Sequence, residues 1–219
     1  MEIRTQVTSY VNDRILALRR QNQPPKLPTT SQSPSPQQDS AAPSPTPYQN
    51  ISALRTNSMK FLPNFFPRAS LAHLFLCFPD PHFKARKHKA RIVSETLCAE
   101  YAYVLRPGGC VWCITDVEEL AGWMRARFRE FGKAGGTARE GEGPEKVGDG
   151  VGDGGEGLFA RVEIPEEGRE GEWEDRTVGM LVKCMRQETE EGKKVTRNGG
   201  KKFVDVWRRR EDLPWPGES

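Results

Sequence analysis

Apolar residues are scarce in this sequence. They make up 36% of 219 residues, and the mean hydropathy is -0.69. A chain this polar cannot place all of its length in a packed core. No apolar run approaches the roughly 20 residues of a membrane helix. The opening MEIRTQVTSY also lacks the pattern of a secretory leader. The chain therefore reads as intracellular and soluble. Cysteine is sparse too. The five cysteines are odd in number and irregular in spacing, which argues against a disulfide framework. Cys110 and Cys113 form a CxxC within GGCVWCITD, a stretch that reads as a strand. Residues three apart on a strand point to opposite faces, so neither a metal site nor a redox pair is expected. A dominant charge of one sign is missing as well, since the formal net charge is only +3.

The charge is instead distributed in blocks. Basic residues cluster at 84–91 and 193–210, and acidic residues cluster at 140–175. Local cationic patches attract phosphate backbones even when the net charge is modest. Two stretches have low-complexity composition. Residues 21–48 are rich in Pro, Ser, Gln and Thr, and residues 133–157 are rich in Gly and Glu. Both read as unfolded insertions in a single domain spanning 1–219.

Helical and strand patterns alternate along the remainder. Val7, Val11, Ile15 and Leu18 recur at helical spacing. NISALRT is a short strand candidate. Leu71 to Phe78 is a continuous apolar run, as expected for a strand buried on both faces. Residues 84–105 read as one helix, stopped by Pro107 to Gly109. CVWCIT reads as a buried strand. Asp116 and Glu119 have the spacing of a capping box, opening a helix to about Phe131. LFARVEI is a strand candidate, ETEEGKKVTRNG a helix or turn, and KKFVDVWRRR a closing strand. This alternation predicts an α/β sheet with helices on both faces. In such sheets ligands bind at the carboxyl ends of strands.

Asp80 lies at such an end, in FPDPHFKARKHKAR. Pro81 biases it toward extended backbone, and the two flanking prolines lower the entropy of the loop. The loop can hold a carboxylate in place before any ligand arrives. The alternative is an ordinary Pro-rich turn with a solvated Asp. Lys84, Arg86, Lys87, His88, Lys89 and Arg91 follow. Cations in the first turns of a helix oppose its dipole. A bound phosphate backbone would relieve that conflict, whereas a solvated charged face would not.

These residues carry a resemblance. FPDPHFKARKHKAR is similar to the signature of the tRNA (guanine-N7)-methyltransferase family, in its eukaryotic, fungal-like catalytic-subunit form. MEIRTQVTSYVNDRI, RTNSMKFLPNFF, EYAYVLRPGG, ITDVEEL and ETEEGKKVTRNGGKKF match in order, and the match skips both insertions. The resemblance implies a Rossmann-like class I sheet that uses S-adenosylmethionine and methylates N7 of a guanine in the tRNA variable loop. It implies a catalytic role for Asp80 and RNA contacts from the basic run 84–91. It implies cofactor contacts from Glu2, with Arg4 beside it, and from Asn57, Ser58, Cys77, Thr189 and Glu191. A non-catalytic WD-repeat β-propeller partner and a nuclear location are further family expectations. Each residue also has a plain structural reading: a terminus for Glu2, a turn for Asn57, core for Cys77, a helix cap for Thr189.

The resemblance also implies a departure. The chain opens at the end of the family's second strand, without the first strand and its Gly-rich cofactor turn. GDGVGDGGEG follows no strand and precedes no helix, so it does not replace that turn. The expectation is a fragment or an internal start. The other readings are a short tRNA-binding or scaffolding protein without catalysis, or a partner that completes the sheet.

Overall fold

The structure is a computed structural model and describes residues 1–22, 47–132 and 157–212. The two insertions expected from composition lie almost wholly outside the described residues. The chain divides into two compact units, Met1–Phe61 and Leu62–Ser219.

In the first unit, α1 spans Thr5–Gln21, the helix predicted from its apolar spacing. Ile15 is buried, and Arg19 and Arg20 sit in the last turn, where cations suit the helix dipole. The Arg19 guanidinium donates to the carbonyls of Tyr48 and Ile51 at 3.0 and 2.7 Å. The strand expected in NISALRT is reduced to one parallel bridge between Glu2 and Arg55. Glu2 N–H donates to the Leu54 carbonyl, and Thr56 N–H donates to the Glu2 carbonyl. Pairing stops there because α1 begins three residues later and carries the chain into helix. A short helix, α2 at Ser58–Phe65, follows Asn57 and was not foreseen.

The second unit is built on a four-stranded sheet in the order β1-β2-β4-β3. These strands are β1 at Leu71–Cys77, β2 at Leu105–Thr115, β3 at Phe159–Val162 and β4 at Phe203–Arg209. β1 and β2 run parallel, while β4 is antiparallel to both β2 and β3. On one face lies α5 at Arg176–Gln187. Its Val178, Val182 and Met185 pack on Cys110, Trp112, Ile114, Val204 and Val206. On the other face are α3 at Glu95–Val104 and α4 at Glu118–Glu130. There Phe128 stacks on Trp207 at 5.5 Å and meets Phe159 edge-on at 5.2 Å. The α/β class with helices on both faces is as expected. Cys110 belongs to the α5 face, and Cys113, three positions on, points the other way.

Four expectations are corrected. β1 is not buried on both faces, and only Leu76 within it is buried. It is an edge strand, so Phe75 and Cys77 remain open. The single helix expected over 84–105 is broken. A six-residue 3-10 helix spans Ala85–Ala90, and α3 begins only after Ser94, whose hydroxyl accepts from Leu97 N–H. The capping box at Asp116 does not form: the cap of α4 is Val117, without a side-chain bond, because the Glu119 carboxylate is drawn to Arg91. β2 also starts earlier than the motif suggested, running through Pro107 to Gly109. A Cβ at Gly109 would lie 2.8 Å from the Arg106 carbonyl oxygen and 3.0 Å from that of Ala72, so only glycine fits there.

Candidate functional site

Asp80 follows the carboxyl end of β1, where the parallel pair β1 and β2 opens. Phe78 N–H donates to the Ile114 carbonyl on β2 at 2.8 Å, which ties the turn to the sheet. The turn itself is bent sharply. Phe78 and His82 have φ of 48° and 47°, a region that bulky side chains rarely adopt. His82 N–H donates to Asp80 Oδ1 at 3.1 Å, and His82 Nδ1 lies 3.5 Å from the same oxygen. The Asp80 side chain is 73% exposed. The result is a carboxylate held by its own backbone and presented to solvent.

The basic run behind it is split by the fold. Lys84, Arg86, Lys87 and Lys89 are exposed. His88 is half-buried, its ring edge-on to Trp123 at 5.3 Å, with Nε2 3.8 Å from Glu119 Oε1. Arg91 is only 1% exposed. Its Nε donates to the Pro81 carbonyl at 2.8 Å, and its Nη2 to Glu119 Oε1 at 2.6 Å. Arg91 is therefore no surface cation, which corrects its assignment to RNA contact. The dipole argument changes as well. The cations sit on a 3-10 turn, and the α-helical N-terminus carries Glu95. What remains for a phosphate backbone is four exposed cations beside an exposed carboxylate.

The other site residues fall in both units. In the first unit, Arg4 closes on Glu2. Arg4 N–H and Nε donate to Glu2 Oε1 at 2.9 and 3.1 Å, and Nη2 donates to Oε2 at 3.1 Å. The Arg4 side chain lowers the Glu2 pKa to about 2, so this carboxylate is a permanent acceptor. Asn57 Oδ1 accepts from Met59 N–H at 3.0 Å, as a turn residue would, and Ser58 opens α2. In the second unit, Cys77 is open at the end of β1, although burial of its sulfur raises its pKa. Thr189 caps α6 at Glu190–Arg197. Its hydroxyl accepts from Gly192 N–H at 3.1 Å and donates to the Met185 carbonyl at 2.9 Å. Glu191 pairs with Lys194 at 2.9 Å. A cavity of about 410 Å³ beside them is lined by Gln187, Glu190, Lys193, Thr196 and Arg197.

Sequence reasoning did not find the residues that hold the Asp80 turn from behind. The spacing of Glu119 points to a helix cap, and no sequence pattern marks Trp123 or Arg127. Trp123 Nε1 donates to the Val93 carbonyl at 2.8 Å. The guanidinium groups of Arg91 and Arg127 lie 4.8 and 4.4 Å from its ring centre. No spacing signal links residues so far apart in the chain.

Comparison with known proteins adds to this geometry. Residues 1–147 match a protein-family model described as "Putative methyltransferase". The chain is 49% identical over 236 residues to a tRNA (guanine-N(7)-)-methyltransferase of Aspergillus oryzae, covering 99% of this chain and 64% of that protein. It is 47% identical over 241 residues to the Aspergillus terreus protein of that name, covering 99% and 64%. It is 44% identical over 216 residues to the Neurospora crassa one, covering 99% and 55%. The chain thus spans a little over half to two thirds of the length of these relatives.

Proposed function

The chain belongs to the tRNA (guanine-N7)-methyltransferase family, and on that premise we propose that it serves transfer of a methyl group from S-adenosylmethionine to N7 of a guanine in tRNA. Its sheet is the Rossmann-like α/β sheet of S-adenosylmethionine-dependent methyltransferases. The observation that carries the proposal is Asp80, exposed and held at the carboxyl end of a parallel strand beside four exposed cations.

The chemistry asks little of the protein in proton transfer. Guanine N7 already carries an in-plane lone pair, so no base is needed to free it. Catalysis rests on orientation and electrostatics. The Asp80 carboxylate accepts from the N–H groups on the opposite edge of guanine and opposes the positive charge that the ring gains. Lys84, Arg86, Lys87 and Lys89 grip the flanking phosphates, and the target nucleotide is turned out of its stack to reach Asp80.

S-adenosylmethionine, when bound, supplies an electrophilic methyl group. The resemblance assigns residues of each unit to such a ligand. In the first unit Glu2, ionised and held by Arg4, is the acceptor that ribose hydroxyls require, and Asn57 with Ser58 would meet the adenine. In the second unit Cys77 would line the cofactor, and Thr189 and Glu191 would lie in the segment that closes over it. A β-propeller partner and a nuclear location belong to the same proposal.

The test is transfer of labelled methyl from S-adenosylmethionine to tRNA by the full chain, with nuclease digestion to identify N7-methylguanosine. Asp80→Asn is expected to lower turnover roughly 100-fold while tRNA affinity stays within about twofold, since no phosphate contact is lost. Equal turnover in the variant would remove Asp80 from the reaction. Binding of tRNA without transfer by the unaltered chain would leave an RNA-binding protein.

A further inference from the structure

We propose that Arg91 is a positioning residue for Asp80, acting through a latch that runs from Glu119 on α4 through Arg91 to the Pro81 carbonyl. The inference rests on the reading of Asp80 as the group that faces guanine. It starts from the shape of the turn. Two aromatic residues, Phe78 and His82, both have positive φ, one on each side of Asp80. Such backbone persists only where its surroundings over-determine it. Pro79 and Pro81 have no N–H to offer, so the turn has few bonds of its own. Phe78 N–H binds the Ile114 carbonyl, and His82 N–H binds Asp80. The bond from Arg91 Nε to the Pro81 carbonyl, at 2.8 Å, comes from a side chain outside the turn, and it holds the residue next to Asp80.

Arg91 is itself fixed from several directions. Its Nη2 binds Glu119 at 2.6 Å. Its guanidinium lies over the Trp123 ring, which Val93 holds by its carbonyl and Arg127 flanks from 4.4 Å. The Glu119 carboxyl is held below its ordinary pKa mainly by this Arg91 bond. The fork geometry matters. A guanidinium binds a carbonyl with one nitrogen and a carboxylate with another in one plane, which a lysine ammonium cannot reproduce. At 1% exposure Arg91 has no open surface for a phosphate. Its neighbours Lys84, Arg86, Lys87 and Lys89 do. One basic run therefore contains both a grip for the backbone and a brace for the carboxylate.

The experiment uses the full chain, tRNA and S-adenosylmethionine, with three variants. Arg91→Lys is expected to lower kcat roughly 10- to 100-fold, the loss that a displacement near 1 Å produces. KM for tRNA and the salt slope of tRNA binding should stay at wild-type values, because no phosphate contact is lost. Amide hydrogen exchange in the peptide covering 78–84 should quicken by roughly tenfold. Glu119→Gln alters an outward-facing residue, 56% exposed, and keeps an oxygen that can accept from Arg91 while removing the charge that compensates it. It should show the same pattern at roughly three- to tenfold. Lys87→Ala should do the reverse, acting chiefly by raising KM and reducing the salt slope by about one. The proposal is overturned if Glu119→Gln leaves both kcat and exchange at wild-type values. It is equally overturned if Arg91→Lys folds and acts on KM and salt slope as Lys87→Ala does. If the unaltered chain transfers no methyl group, the functional reading fails separately, and exchange over 78–84 alone decides whether the latch exists.

Discussion

Lys89 and Arg91 stand two positions apart in one basic run, and burial alone separates their roles. An exposed cation interacts with whatever phosphate arrives, and salt screens it. A buried one must be paired where it lies, because an uncompensated charge away from water is very costly. Arg91 is paired with Glu119 and the Pro81 carbonyl, so its charge is already committed. Glu2 illustrates the same logic at the surface of the first unit. Its carboxyl is lowered from 4.5 to about 2, chiefly by the Arg4 side chain. A depressed carboxyl stabilises the folded form above its unfolded pKa. That contribution is lost as pH falls from about 4.5 toward 2. With the Glu2 side chain 29% and the Arg4 side chain 71% exposed, solvent screening leaves the pair only a small share of the stability. Carbon-13 NMR titration of the Glu2 carboxyl is expected to give a midpoint near the value of about 2. In an Arg4→Ala variant the midpoint should return toward 4.5. A wild-type midpoint already there would mean that Arg4 does not hold Glu2 in solution.

At the scale of elements, glycines separate close packing from open helix surface. Gly179 lies on α5 where a Cβ would be 2.3 Å from the Glu170 carbonyl oxygen and 3.2 Å from Trp173 Cβ. Glu170 belongs to the short 3-10 turn that α5 packs against, and the Arg186 guanidinium binds its carboxylate at 2.7 Å. Gly179→Ala must separate these pieces and is expected to destabilise the protein by about 1–3 kcal/mol. Gly122, inside α4, has nothing within 4 Å of its would-be Cβ. Gly122→Ala should stabilise by about 0.5–1 kcal/mol through helix propensity. Urea denaturation of the two variants reads both signs, and equal midpoints would contradict this packing. Legibility in the sequence follows the same division. α1 is legible because its apolar residues repeat at helical spacing, β2 because it is a continuous apolar run and β4 because it is rich in β-formers, whereas α4 is located by a capping-box spacing whose side-chain bond does not form. The break between the 3-10 turn and α3 is not legible, because it is imposed by tertiary contacts. Tyr101 Oη binds the Ile92 carbonyl at 2.6 Å, Trp123 binds Val93, and Arg91 turns inward. For the same reason Asp80 could be found by motif, and its support from Glu119 and Trp123 could not. The exposure of β1 was also hidden, since an apolar run reads alike at a sheet edge and at its centre.

At the scale of the whole molecule, the question is whether RNA attraction is local or general. A formal charge of +3 gives little long-range pull on a polyanion, so affinity must come from placement. Lys84, Arg86, Lys87 and Lys89 are all exposed on one short turn behind Asp80. Changing these four to alanine makes the net charge slightly negative. So does changing Arg169, Arg176, Lys183 and Lys201, which are exposed elsewhere in the second unit. If attraction were general, both quadruple variants would weaken tRNA binding equally. If it is local, the first set should reduce the slope of log affinity against log salt by about 3, since each released counterion contributes about 0.7 to 0.9, and the second set should change it by less than about 1. Fluorescence anisotropy of labelled tRNA across a salt series measures both. Equal slopes for the two variants would detach the basic turn from RNA recognition. Asp80 would then keep its held geometry without a neighbouring grip on the backbone, and the phosphate contacts would have to be sought on another face.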